Sequence, residues 1–167
     1  MFACPPEEDA PPVLLRVLCL GNDLLADDAL GAVVAGRLAA QLPPDVEVVA
    51  SSTTGFGLLD DLLNTARLVV VDSIRSGGAP PGTLYQVREE DLRCPVGGSA
   101  HYVGLFEMLA LARALHLPAP QKVVILAVEA ADCTTVGGTI HPAVQAAVPA
   151  VIRQVEQLVQ EWRREAA

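Results

Sequence analysis

The segment VLLRVLCL at 13–20 is apolar apart from Arg16, and an unbroken apolar run of that length reads as a strand buried on both faces. From Asp27 onward the pattern changes period. Leu30, Val33, Val34 and Leu38 recur at helical spacing, and the Pro43-Pro44 pair stops that helix. VEVVA at 46–50 is a second strand, SSTTGFG a loop, and LLDDLLN a short helix. RLVVVD at 67–72 is a third strand, apolar until it ends at Asp72. SIRSGGAPPG is a turn-rich connection to a fourth strand, TLYQV at 83–87, and a loop spans 88–100. A helix starts at about His101, with Leu105, Met108, Leu109, Ala112 and Leu115 on one face. KVVILAV at 122–128 is the fifth strand. The last helix starts at Pro142, a favourable first-turn residue, and carries the stripe Val144, Val148, Val151, Val155, Leu158, Val159 and Trp162. Pro149 interrupts that stripe and is expected to kink or reset the helix.

Apolar strands alternating with helices predict an α/β sandwich whose mostly parallel sheet is covered on both faces. The fourth strand is the exception. A short turn after strand three lets it run downward, and the 88–100 loop climbs back before the His101 helix descends to strand five. The C-terminal edge of the parallel strands then collects Asp27 and Asp28 after strand one, Asp72 after strand three, and His101 at the start of its helix. Glu129 and His141 are candidates for the same edge, whereas His116, at a helix C-terminus, falls at the opposite one.

Composition narrows the function. A chain of 167 residues suits one domain, taken as 13–163, behind an acidic, proline-rich lead-in at 1–12. That lead-in lacks the basic segment of a signal peptide, and no apolar run approaches the ~18–20 residues of a membrane span. A net charge of −9 argues against nucleic acid as a partner. The four cysteines form no C-x-x-C pair, and a reducing, cytoplasmic setting is expected. There is no dinucleotide fingerprint, Walker loop, H-E-x-x-H or G-x-S-x-G motif.

Each acid has a plain structural reading. An aspartate at a helix start is commonly a cap, and Asp72 with Ser73 can close a turn. Two carboxylates and an imidazole at one edge instead suit a borderline divalent cation such as nickel, zinc or iron, and suit calcium poorly. Adjacent Asp27 and Asp28 do not suit a shared proton, because neighbouring helical side chains diverge by ~100°.

Four ordered segments carry a family resemblance: LGNDLLADDALGAVVAGRL, TTGFGLLDDL, VVVDSIRSGGAPPGTLYQ and SAHYVGLFEMLALARAL. Together, over about residues 14 to 160, they resemble the hydrogenase maturation proteases, which trim the large subunit of nickel-iron hydrogenases. The resemblance implies a three-layer α/β/α, phosphorylase/hydrolase-like fold with a five-stranded mixed sheet of order 2-1-3-5-4, strand four antiparallel. It implies an aspartic-type endopeptidase whose Asp28, Asp72 and His101 recognise nickel brought by the immature large subunit, with no membrane insertion. Asp27 would keep a capping role and share in activating the attacking water. This chain departs from the family where Asp28 replaces a usual glutamate, shortening its reach by roughly 1.5 Å. It has Cys19 in place of a usual glycine. It also has Ala50-Ser51 where the family has an aspartate and a glycine, leaving Asp27, Asp60 or Asp61 as other sources of a carboxylate. Two rival readings are a non-catalytic chaperone that binds the nickel-bearing precursor, and a small-molecule-binding α/β domain.

Overall fold

The structure is a computed structural model, and it describes residues 13–89 and 100–166. The lead-in at 1–12 and most of the expected 88–100 loop lie outside the described residues. Five strands form one sheet of order β2-β1-β3-β5-β4: β1 Val13–Leu20, β2 Val46–Ser51, β3 Thr65–Ile74, β4 Leu84–Arg88 and β5 Lys122–Glu129. β1, β2, β3 and β5 pair in parallel, and β4 pairs antiparallel with β5, as expected.

The apolar runs are continuous because both sheet faces are covered. Successive strand residues point to opposite faces. Leu15, Val17, Val69, Val71, Val124, Leu126 and Val128 pack in one core with α1 (Leu30–Leu38) and α4 (Pro142–Ala166). Leu18, Leu68, Val70, Val123 and Ile125 pack in the other with α2 (Leu58–Leu62) and α3 (Ala100–Ala114). The predicted stripe of α4 is buried from Val144 to Trp162. α4 continues through Pro149 without being reset.

Two boundaries differ from expectation. β3 does not end at Asp72 but runs on to Ile74. β5 runs beside it in register, pairing Asp72 with Ala127, Ser73 with Val128 and Ile74 with Glu129. A polar residue looked like a stop, although the neighbouring strand still supplied partners. The helix expected from Asp27 is also delayed. A 3-10 turn, Ala26–Ala29, precedes α1 and contains both acids.

Two glycines allow that turn to lie against β1. A Cβ on Gly31 would stand 2.1 Å from the Leu20 carbonyl oxygen. One on Gly21, which has φ +142, would stand 2.1 Å from the Asp28 carbonyl oxygen. Among the described residues, no helix is long and apolar enough to cross a membrane.

Candidate active site

Asp28 follows β1 through Gly21-Asn22 and is 6% exposed. Its Oδ2 accepts the Asn22 backbone N–H at 2.9 Å, and its Oδ1 accepts the Ser73 hydroxyl at 2.9 Å. Asp72 is fully buried beside it in β3. Its Oδ1 accepts the Ser73 backbone N–H at 2.8 Å, while its Oδ2 is buried with no hydrogen-bond partner. Burial, reinforced by the nearby Asp28 charge, pushes the Asp72 carboxyl up to about 7 against the lowering effect of the Ser73 N–H. A buried carboxylate oxygen without a donor is costly. It calls for a proton or a cation, and no Lys, Arg or His is hydrogen-bonded to either acid among the described residues.

Asp72 shares strand parity with Leu68 and Val70, and so belongs to the sheet face that α2 and α3 cover. The segment after α3 lies at the opposite edge, where Gln121 N–H meets the Ala66 carbonyl at 2.9 Å. The helix has 15 residues, about 22 Å of rise, so its first turn with His101 reaches the acid-bearing edge. The His101 side chain lies outside the described set. Among the described residues, no three His, Cys, Asp or Glu side chains form a metal-holding group. Of the three residues expected to act together, Asp28 and Asp72 are the two whose side chains are described.

Asp27 does not cap a helix, because it lies within the 3-10 turn rather than ahead of it. It is fully buried and directed at the β5–α4 loop. Its Oδ2 accepts the Ala131 and Asp132 N–H groups at 2.8 and 2.9 Å, and its Oδ1 accepts the His141 N–H at 2.5 Å. Backbone bonds between Ala26 and Thr135, Asp27 and Asp132, and Gly137 and Leu24 complete a clasp between the two loops. With both oxygens engaged and none exposed, Asp27 is badly placed to activate a water.

The other candidates have structural roles. Glu129 ends β5, but its carboxylate accepts from Ser76 N–H, Ser76 Oγ, Gly77 N–H and Tyr85 OH. Burial opposes its charge, yet these donors hold its carboxyl below the usual value. It organises the β3–β4 turn, and its hydrogen bonds go to that turn and Tyr85 rather than to the acid pair. His141 caps α4, its Nδ1 accepting the Ala143 N–H at 3.2 Å. His116 lies beyond α3 with φ +58, at the predicted opposite edge.

Sequence reasoning gave Ser73 only a turn-closing role beside Asp72. The Cys133 Sγ lies 3.7 Å from Ser73 Oγ. Burial raises its thiol pKa, and the charges of Asp28, Asp27 and Asp72 add to that. The signal for Ser73 was present: a hydroxyl residue directly after a strand acid, in a strand that does not stop.

At Ala50, where the resemblance leads one to expect an acid, β2 brings no carboxylate. Asp61 stands near instead: its Oδ2 accepts the Ser51 and Thr53 hydroxyls at 2.6 Å each.

The class this defines is a doubly covered α/β/α sandwich of sheet order 2-1-3-5-4 with two buried acids, Asp28 and Asp72, at the C-terminal edge of its parallel strands. The family model for hydrogenase maturation proteases matches residues 33–158, and the chain belongs to that family. It is similar to the hydrogenase expression/formation protein HupD of Rhodobacter capsulatus, 28% identical over 156 residues that cover 90% of this chain and 73% of that one. It is 30% identical to the hydrogenase expression/formation protein HoxM of Cupriavidus necator over 148 residues, 86% of this chain and 72% of that one. The solved structure of the hydrogenase maturating endopeptidase HybD from Escherichia coli superimposes with a TM-score of 0.76 at 29% identity, covering 89% of this chain and 93% of that one.

Proposed function

We propose that this chain removes the C-terminal extension of an immature nickel-iron hydrogenase large subunit in the cytoplasm, after nickel has been inserted. Asp28, Asp72 and His101 recognise the nickel that the substrate carries. The observation that carries this reading is the Asp72 Oδ2 atom, buried without a donor beside a second carboxylate. A divalent cation supplies the missing charge, and carboxylates with an imidazole form a donor set suited to nickel. The metal arrives as part of the substrate, so the acid pair acts as a check that loading is complete. No serine or cysteine nucleophile is needed, because a water polarised beside the metal or a carboxylate can attack the scissile carbonyl. The free thiols of Cys19 and Cys133 suit a reducing compartment.

The test is the mass of a nickel-loaded precursor incubated with the purified chain. The parent chain shortens it, and Asp72→Asn leaves it intact; processing by Asp72→Asn at the parental rate overturns the reading. The absence of an acid at Ala50 favours a second reading, a chaperone that binds the precursor and cuts nothing. In that case the precursor keeps its mass with the parent chain but still forms a complex with it.

A further inference from the structure

The acid pair sits astride the sheet. Asp72 belongs to the α2/α3 face, whereas Ser73, sharing parity with Val69 and Val71, belongs to the α1/α4 face. The turn carrying Asp28 approaches from that second side. Asp72 and Asp28 therefore approach the edge from different sides of the sheet, and Ser73, 3% exposed, bonds to each of them.

We propose that Ser73 is the positioning residue of the acid pair, its hydroxyl fixing Asp28 Oδ1 and its backbone N–H fixing Asp72 Oδ1, so that both carboxylates are oriented for the incoming metal and Asp72 Oδ2 carries no donor. This rests on the reading of Asp28 and Asp72 as nickel-recognising groups.

The arrangement accounts for all four carboxylate oxygens. Asn22 N–H holds Asp28 Oδ2, Ser73 Oγ holds Asp28 Oδ1, Ser73 N–H holds Asp72 Oδ1, and Asp72 Oδ2 has no donor. The hydroxyl has one proton, and the bond to Asp28 uses it. The Cys133 thiol lies against the same oxygen at 3.7 Å. An aspartate is short and its carboxyl turns easily about the last side-chain bond. Held by one backbone N–H only, Asp28 would be free to rotate out of the pair. The hydroxyl of Ser73 is what stops it, and Ser73 does so without touching the substrate.

Ser73→Ala separates the two contacts, removing the hydroxyl while leaving the backbone N–H in place. Two readouts are used: nickel(II) alone titrated calorimetrically into the full chain, and turnover of nickel-loaded precursor. Groups that orient metal ligands from behind typically contribute about 10–100-fold to affinity or rate. Ser73→Ala is expected to weaken nickel binding and lower kcat by about that factor. Ser73→Thr, which keeps the hydroxyl, stays within about threefold of the parent chain. In an Asp28→Asn background the same Ser73→Ala change moves nickel affinity by less than about threefold, because the group it orients is already gone. Parental affinity and kcat for Ser73→Ala, or an equal loss in both backgrounds, overturns the proposal. A parent chain that binds nickel but leaves the precursor whole overturns the protease reading and leaves Ser73 to the nickel arm. A parent chain that does neither overturns both.

Discussion

The two edges of the sheet treat charge in opposite ways. At the N-terminal edge of the parallel strands, charged side chains meet opposite partners. Lys122 and Arg67 meet Glu165, and Arg113 meets Glu89. These pairs are half-exposed, and such pairs contribute little to stability. At the C-terminal edge three aspartates are buried: Asp27, Asp28 and Asp72. They are held by backbone N–H groups and one hydroxyl rather than by a cation. One edge is built as a solvated surface. The other concentrates like charge where water is excluded, which a fold selected for stability alone would avoid. Within it the neighbours Asp27 and Asp28 divide the work: the first ties two loops together, and the second joins Asp72.

The largest effect expected on this contrast comes from Asp72→Asn. It should lower precursor cleavage by at least about a thousandfold, measured by single-turnover mass spectrometry. The same change should make the metal-free protein more stable. In the fold, Asp72 keeps its proton up to about pH 7, whereas the unfolded chain loses it near 3.8. Between those values the folded state binds the extra proton, so stability falls as pH rises through that window and stays lower above it. Thermal melts should therefore put Asp72→Asn above the parent by about 5 °C or more at pH 8, with the two converging near pH 4.

Asp27→Asn tests the clasp. An amide cannot accept through its nitrogen, so at least one backbone N–H among Ala131, Asp132 and His141 loses its partner in a buried place. A loss of about 3 kcal/mol is expected, a fall in Tm of about 6–12 °C by calorimetry. A parental melt would mean the loops are held by the surrounding backbone bonds alone.

The smallest effect belongs to the opposite edge. Lys122→Ala should leave cleavage unchanged and move Tm by no more than about 2 °C, since its partner Glu165 is solvated. A clear loss of activity there would break the contrast between the edges.

The antiparallel β4 and the two-faced core were legible because periodicity and connection length carry them, whereas the strand order came with the family resemblance. β1 and β5 are apolar on both parities, and α4 shows its buried stripe plainly. The direction of single side chains was not legible. Asp27 and Asp28 are adjacent and chemically identical, and only the 3-10 turn sends one to the β5–α4 loop and the other to Ser73. Glu129 resembled a site acid because it ends a strand, yet its partners come from a turn more than fifty residues away in sequence. Ser73 was read only as closing a turn because Asp72 looked like the end of β3, and strand ends depend on the neighbouring strand as well as on the residue itself.

The most direct measurement is the mass of a candidate hydrogenase large subunit co-expressed with this chain, in medium with nickel and in medium depleted of it. With nickel, the subunit should lose its C-terminal extension; without nickel, it should keep it. A subunit that keeps its extension in both media, or loses it equally in both, contradicts the account.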